Sequence, residues 1–276
     1  MSDGGALEEL LRAVGEQADA EIDIAEAALA LGGLDRPGVP LSRYQAHLEE
    51  IGRGIADAAP DNADAAAAAA SLREVMSEEY GYRGDEQTYD DMQNANLLRV
   101  IDRRKGLPVA LAILYMHAAR HRGWSMWGLN FPAHFLVRLE VDGARLILDP
   151  FRGGRVVDTP DLRELLKRLA GDGAELRNDY YQIVGDRDVL LRLQNNIRLR
   201  LLRDGRQDRA LGVLETMLLI QPDSATLWRE ASELNAELGN LRAAIEGPER
   251  ALELTPEGVG RAALKQALRQ LHGRLH

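Results

Sequence analysis

The stretch from Gly106 to Phe151 constrains the fold most, because an apolar helical segment leads directly into two alternating segments. Pro108 suits the first turn of a helix, where its missing N–H leaves no bond unmade, and the residues that follow it are apolar around most of the helix. Such a helix is expected at the centre of a domain. Residues 135–141 and 144–148 then alternate as strands around the turn Asp142-Gly143. A buried helix followed by an antiparallel hairpin predicts an α+β domain.

The hairpin also predicts that two polar side chains are neighbours. His134 lies eight residues before the turn and Asp149 lies six residues after it. Because a hairpin folds back on itself, both residues are expected at the same edge of the sheet. Such a pair can be a structural hydrogen bond, part of a ligand-binding cleft, or the remainder of a catalytic site.

Upstream of this stretch, the pattern is helical. Residues 7–29 predict one amphipathic helix or two short ones, and residues 41–58 predict another. Asn62 is expected to cap a further helix, which runs through the alanine block to Tyr80.

The segment between the alanine block and Gly106 is expected to contain a loop followed by a helix. Residues 81–91 are polar and aromatic and are expected to form a surface loop, which often borders a site. Residues 91–103 predict a helix with Asn94 and Asn96 near its start. Cationic residues and Gly106 follow it, which favours a left-handed glycine cap.

Two repeats follow Leu190. Three pairs of residues lie 34 positions apart, which is the tetratricopeptide period: Gly205 and Gly239, Ala210 and Ala244, Pro222 and Pro256. Each repeat is expected to form two antiparallel helices, and residues 258–271 a capping helix. Pro248 falls inside a predicted helix, which is therefore expected to begin late or to kink.

Charge is distributed unevenly along the chain. The formal net charge is -10, and residues 1–80 contain 5 Lys and Arg against 17 Asp and Glu. Because an acidic surface repels phosphate backbones, nucleic acid is not expected as a partner. A series of arginines is expected to favour an acidic partner or the chain's own acidic N-terminal part: Arg192, Arg198, Arg200, Arg203, Arg206 and Arg209.

The sequence contains no Cys, which excludes disulfides, thiolate nucleophiles and Cys-ligated zinc. Neither an export signal nor a membrane-length apolar segment is found, so we expect a cytoplasmic location and no membrane association. His117 and His121 have the spacing of two metal ligands on a helix, but no Glu lies between them. No metal and no cofactor are expected.

The motifs of the central stretch, in their order, resemble those of the bacterial SirB-type family, described as regulators of SirC expression. They are Asn96 with Asp102-Arg103-Arg104, the run Gly106 to Leu111, the His134 segment, and Asp149-Pro150-Phe151 with Gly153-Gly154. The resemblance implies a papain/transglutaminase-like domain, helix-rich with a small antiparallel sheet, followed by an all-α tetratricopeptide-repeat domain. It divides the chain into an N-terminal helical part of the transglutaminase-like domain (1–80), its core (81–189), and two repeats with a capping helix (190–276).

The resemblance also implies roles for individual positions. His134 and Asp149 match the general base and its orienting carboxylate, and Pro108 stands where active members have the nucleophilic Cys. Proline has no nucleophilic atom and removes an N–H from the oxyanion site. His134 and Asp149 are therefore vestigial or candidate catalytic residues, and Asn94, Asn96 and Arg152 are candidates for a ligand-binding cleft.

The function expected from these observations is a non-catalytic protein-interaction or regulatory module. A protein or peptide partner is expected on the repeats, whereas the oligomeric state is left open by the sequence. The alternative is a hydrolase or acyl transferase that uses His134 and Asp149 without a Cys nucleophile.

Overall fold

The computed structural model describes residues 3–275, apart from the side chains of residues 3, 259 and 275. The chain divides into two compact units. The N-terminal unit comprises residues 1–7 and 18–193, and the C-terminal unit comprises residues 8–17 and 194–276. The domain divisions expected at residues 80 and 189 stay predictions.

The predicted helical character of residues 1–80 is confirmed. The helices are α1 (Asp3–Glu16), α2 (Ile24–Leu34), α3 (Ser42–Ala58) and α4 (Ala65–Arg73). The expected cap at Asn62 is wrong, because the Asp64 carboxylate accepts the N–H of Ala67 instead. The helix also does not continue regularly to Tyr80, since residues Glu74–Glu79 form a π-helical turn.

The predicted helix over residues 91–103 is divided at Asn96. A 3₁₀ turn (Met92–Ala95) precedes α5 (Leu97–Arg103), and the Asn96 side chain caps α5 by accepting the N–H of Arg99. The left-handed residue after α5 is Arg104, with φ 58°, and not Gly106. The glycine instead lies in β2 (Lys105–Gly106), which pairs in parallel with β1 (Arg83–Gly84).

Helix α6 (Pro108–His121) forms the centre of the N-terminal unit, as its composition predicts. Pro108 is its first residue, and nearly all of its side chains are buried. It packs against α3 and α2 and against β3 (Ser125–Leu129). A helix that is apolar on all sides can be stable only in such a position.

The antiparallel sheet contains the predicted hairpin. Its strands are β3, β4 (Val137–Val141), β5 (Ala144–Asp149), β6 (Arg155–Val156) and β7 (Ile183–Val184), in the order β6-β5-β4-β3-β7. Val141 pairs with Ala144, and both turn residues have positive φ, as a type I′ turn requires. Helix α7 (Thr159–Ala170) buries Leu162, Leu165 and Leu166 in a cluster with Leu129 of the sheet.

The C-terminal unit is helical. Its helices are the later part of α8 (Asp186–Arg203), then α9 (Gln207–Ile220), α10 (Ala225–Glu237), α11 (Leu241–Leu254) and α12 (Val259–Leu275). Helix α11 runs through Pro248 and begins at Leu241, so the expected late start is wrong. Within residues 3–275, no helix is both long and apolar enough to cross a membrane.

Candidate functional site

His134 and Asp149 are neighbours, as the hairpin predicts. The distance from His134 Nε2 to Asp149 Oδ1 is 2.9 Å. Asp149 is the last residue of β5 and is 1% exposed, and His134 lies in the turn before β4 with a side chain that is 10% exposed. The ring nitrogen and the carboxylate therefore meet in a nearly dry environment, where a hydrogen bond of this type is strong.

The Asp149 carboxylate also organises the residues that follow it. Its Oδ1 accepts the N–H of Phe151 at 3.1 Å and so caps the short 3₁₀ turn Pro150–Arg152. Arg152 Nε lies 3.9 Å from Asp149 Oδ2, which is longer than a hydrogen bond. This carboxylate consequently fixes both the imidazole and the main chain of the 3₁₀ turn.

The main chain at His134 is held by Arg192, which the sequence analysis listed in a series of arginines expected to favour an acidic partner or the acidic N-terminal part of the chain. The Arg192 guanidinium donates to the carbonyl oxygens of His134 at 2.8 Å and Phe131 at 3.3 Å. It lies over the Phe135 ring, 4.9 Å from the centroid, and burial lowers the pKa of this guanidinium. Ala133 adopts φ 56°, a strained value for a residue with a side chain. Arg192 is thus a positioning residue for the turn. Sequence reasoning missed this role, because no local signal indicates a carbonyl partner 58 residues away.

The first turn of α6 offers no reactive side chain. Leu107 precedes the helix, and Pro108, Val109 and Ala110 open it; all four residues are buried. Further along α6, Tyr115 lies close enough to Asp149 that burial and the carboxylate charge together raise the pKa of its phenol. The Tyr115 hydroxyl is buried without a hydrogen-bond partner in the described part of the chain.

A cavity of about 450 Å³ is lined by Phe151, Arg152 and Gly153, which follow Asp149 in the chain, whereas His134 and Asp149 do not line it themselves. Phe151 forms part of its wall, and the Phe151 ring centroid lies 5.9 Å from those of both His134 and Tyr89. Gly84 also lines the cavity, and a Cβ there would collide with the Phe151 ring. Arg152, a predicted cleft residue, lines this cavity together with Ser77, Arg83 and Lys105, which sequence reasoning did not select.

Asn94 and Asn96 are not among the residues that line this cavity. The Asn94 side chain is fully buried, donates to the Thr88 carbonyl at 2.6 Å and accepts from Arg103 at 2.8 Å. Asn96 donates to the Gly32 carbonyl at 3.1 Å while it caps α5. Both amides have structural partners, and their assignment to a ligand-binding cleft stays a prediction.

The His134-Asp149 pair can orient an imidazole and stabilise it in one tautomer. When Nε2–H donates to Asp149, the unprotonated Nδ1 is left as an acceptor or base. Nδ1 has no hydrogen-bond partner among the described residues. The geometry is therefore suited to accept a proton, whereas the first turn of α6 supplies no atom to attack an acyl carbon.

Comparison with known families agrees with this architecture. Residues 42–195 match the family model described as the transglutaminase-like superfamily, which covers more than half of the chain. Residues 197–269 match a tetratricopeptide-repeat model. The predicted fold class, a transglutaminase-like domain followed by all-α repeats, is confirmed.

Individual relatives extend the comparison. The chain is 33% identical to a UPF0162 protein of Xylella fastidiosa over 190 residues, which is 68% of each chain. It is 32% identical to a UPF0162 protein of Pseudomonas aeruginosa over 246 residues, 89% of this chain and 90% of the relative. A solved structure of menin covers 92% of this chain and 70% of its own, with 10% identity and a TM-score of 0.43, a likeness too low to carry an argument. The chain therefore belongs to the transglutaminase-like superfamily and, within it, to the family of UPF0162 proteins.

Proposed function

We propose that this protein is a non-catalytic member of its superfamily that acts as a protein-interaction or regulatory module. One observation carries the proposal: α6 begins with Pro108, at the position that the SirB-type resemblance reserves for a nucleophilic Cys, in a chain without Cys. The flanking Leu107, Val109 and Ala110 bring no hydroxyl that replaces it. The SirB-type assignment, a regulatory role and a cytoplasmic location belong to the same proposal.

The C-terminal unit supplies a place for a peptide. A cavity of about 470 Å³ lies along α10 and α12. Thr226, Arg229 and Glu233 line one side of it, and Ala263 and Leu264 line the other. This mixture of apolar wall and few polar groups suits a short peptide segment, and tetratricopeptide repeats commonly present such concave surfaces.

The second candidate function is a hydrolase or acyl transferase that uses His134 as a general base. The observation in its favour is the oriented imidazole, whose Nδ1 has no partner among the described residues and whose ring contacts Phe151 of the cavity wall. In this alternative the base activates water, since no nucleophilic side chain stands in the first turn of α6.

A kinetic experiment separates the two functions. Purified protein and a His134→Ala variant are incubated with amide, ester and thioester substrates, and product release is compared with that in buffer. Non-catalytic function predicts that neither protein exceeds the buffer rate. Turnover by the unmodified chain that disappears with the imidazole would establish the hydrolase or transferase and overturn the proposal.

A Cys introduced at position 108 tests whether this position is the nucleophile position of the superfamily. If the first turn of α6 faces His134, the Pro108→Cys variant carries a thiol with a lowered pKa, because a helix N-terminus and an imidazolium both stabilise a thiolate. We expect iodoacetamide to modify it at pH 6, and to modify the Pro108→Cys, His134→Ala double variant more slowly. Ser125→Cys, on an exposed residue of β3, is the control for an ordinary thiol. Equal labelling rates in all three variants would contradict the assignment of Pro108 to the nucleophile position.

The interaction role is tested by closing the cavity of the repeats. Ala263 and Ala262 are adjacent, exposed residues of α12, and only Ala263 lines the cavity. Tagged protein is used to capture partners from an extract of the source cells. A partner bound through the cavity should be retained by Ala262→Arg and lost with Ala263→Arg, whereas equal capture by both variants would speak against this cavity.

A further inference from the structure

Cationic side chains converge on the cavity that is lined by Phe151. Arg83 in β1 and Lys105 in β2 are direct partners in the parallel ladder, so their side chains leave the same face of it. Arg152 reaches the cavity from the 3₁₀ turn after β5. Like charges placed side by side on neighbouring strands are destabilising, and a bound anion would remove this repulsion.

Two of these three cations have no counter-charge among the residues that the structure describes, and the third has a weak one. Neither Arg83 nor Lys105 forms an ion pair with any residue that the structure describes. The carboxylate paired with Arg152 is that of Asp149, at 3.9 Å, and its Oδ1 is already occupied by His134 and the Phe151 N–H. The side chains of Arg83, Lys105 and Arg152 therefore have hydrogen-bond donors available, and all three line the same cavity.

The acidic residues of the cavity do not cancel this charge. Asp85 is buried and accepts hydrogen bonds from Arg103 at 2.7 Å and from the Thr88 hydroxyl at 2.6 Å. Burial alone raises the pKa of Asp85, but the bonds from Thr88 and Arg103 outweigh it and lower that pKa below its usual value. Asp85 is thus a carboxylate already compensated by Arg103. Glu86 is exposed to solvent, as Arg83 and Arg152 are, and its single charge offsets at most one of the three cations.

A hydroxyl completes the set of donors. Ser77 lies in the π-helical turn Glu74–Glu79 and lines the cavity. Its Oγ makes no hydrogen bond within the described residues and lies close to Gly153, where a Cβ would meet it. Single π-helical turns are frequent at functional sites, because the extra residue redirects a side chain.

We propose that Ser77, Arg83, Lys105 and Arg152 form a binding site for a phosphate monoester group. A single guanidinium satisfies a carboxylate, whereas three cations and a hydroxyl match the charge of about -1.5 to -2 and the three terminal oxygens of a phosphate monoester. Phe151 and Gly84 give the cavity an apolar wall next to the polar donors. The site is separate from the repeats and goes beyond the interaction role proposed above.

Titration calorimetry on the full chain tests the site. The probes are inorganic phosphate, phosphoserine, a short phosphoserine peptide and, as a carboxylate, acetate at equal ionic strength. Saturable binding of phosphate or phosphoserine is expected, and it should weaken about tenfold or more in Lys105→Gln and in Arg152→Gln, since each variant loses a charge-assisted hydrogen bond. Arg145→Gln is the matched control, because Arg145 is an exposed arginine of β5 that pairs with Glu140.

The arms of this experiment also identify the source of the phosphate. Tighter binding of the peptide than of inorganic phosphate would indicate a phosphorylated protein, and equal binding would indicate a small phosphate compound. Circular dichroism of each variant establishes that it is folded, and a rise in Tm with phosphoserine in the unmodified chain gives a second readout. The proposal is overturned if no probe binds saturably, if acetate binds as tightly as phosphoserine, or if the variants bind like Arg145→Gln.

Discussion

The Asp102-Arg103-Arg104 motif shows how consecutive residues can connect separate segments of one unit. Each side chain has its own partners: Arg36, Arg43 and Tyr44 for Asp102; Asp85 and Asn94 for Arg103; His47 and Tyr82 for Arg104. The sequence analysis used these residues as part of a family motif and as charges at a helix end, and it assigned no partner to any of them. Their partners lie 9 to 66 residues away in the chain, so a local pattern contains no information on them.

The pair formed by Arg104 and His47 makes stability depend on pH. His47 is 8% exposed, and its Nε2 lies 2.9 Å from the Tyr82 hydroxyl. Burial and the Arg104 charge lower the pKa of His47, and a weaker opposing effect comes from Glu50. Below pH about 6.5 the unfolded chain takes up a proton that the folded chain does not. We therefore expect the free energy of unfolding to fall as the pH decreases below that value, by up to about 1.4 kcal/mol per pH unit for this residue, until the pH passes the pKa of folded His47.

Urea unfolding at pH 7, 6 and 5 measures this dependence. His47→Gln removes the titrating group, so its unfolding free energy should change less over this range. His117, whose pKa is lowered by burial, contributes with the same sign, so some slope remains. His272→Gln changes an exposed residue of α12 and should keep the full pH dependence of the unfolding free energy seen in the unmodified chain. If His47→Gln showed a pH dependence as steep as this control, the pH dependence could not be assigned to His47.

At the scale of elements, prediction succeeded where the signal is local. Pro108 marks the start of α6. The turn Asp142-Gly143 between two alternating segments marks the hairpin, and the hairpin in turn brings His134 and Asp149 together. The π-helical turn at Glu74–Glu79 was not predictable, because its residues fit an ordinary helix equally well. The cavity depends on that turn and on the β1-β2 ladder. Arg152 was therefore the only lining residue singled out as a site residue by the sequence, although the segment 81–91, expected to border a site, contributes several others.

Helix α11 shows how a helix can begin well before Pro248 and continue through it, so that the predicted late start is wrong, whereas the predicted kink stays a prediction. Proline cannot donate to the carbonyl of Ala244, four residues earlier. The Ser232 hydroxyl of α10 donates to this carbonyl instead, at 2.6 Å. We expect Ser232→Ala to lower the free energy of unfolding by about 1–3 kcal/mol, because it leaves a buried acceptor without a partner. Thermal and urea denaturation of the purified variant measure the loss.

Two further variants isolate this contact. Thr216→Ala removes a comparable hydroxyl bond, to the Gly212 carbonyl at 2.9 Å, but a helical N–H also serves that carbonyl, so a cost below about 1 kcal/mol is expected. In a Pro248→Ala background the helix regains its own donor, and the cost of Ser232→Ala should shrink by about 1 kcal/mol or more. An unchanged cost in that background would mean that Ser232 acts by packing and not by replacing the missing N–H.

At the scale of the whole molecule, the C-terminal unit also contains a segment from the N-terminal part of the chain. Residues 8–17, which comprise most of α1 and the residue after it, belong to the C-terminal unit, although more than 170 residues separate them from the rest of it. The amphipathic pattern of residues 7–29 predicted helix in this region but gave no sign of which partner its apolar face meets. Only the three-dimensional contacts supply that information.

The contact between α1 and α9 is made at Gly15, and it provides a test of this division. A Cβ on Gly15 would collide with the Leu219 carbonyl oxygen, a main-chain atom that cannot move aside cheaply. Gly15→Ala should therefore lower the free energy of unfolding by about 1–3 kcal/mol, with faster amide hydrogen exchange in α9 and α10 than in α6. Gly4→Ala is the matched control in the same helix, because no atom of the described residues lies within 4 Å of its Cβ position. It should leave exchange in α9 unchanged and stability equal or slightly higher, since alanine favours helix. If Gly15→Ala behaved like this control, residues 8–17 would not be an integral part of the C-terminal unit in solution.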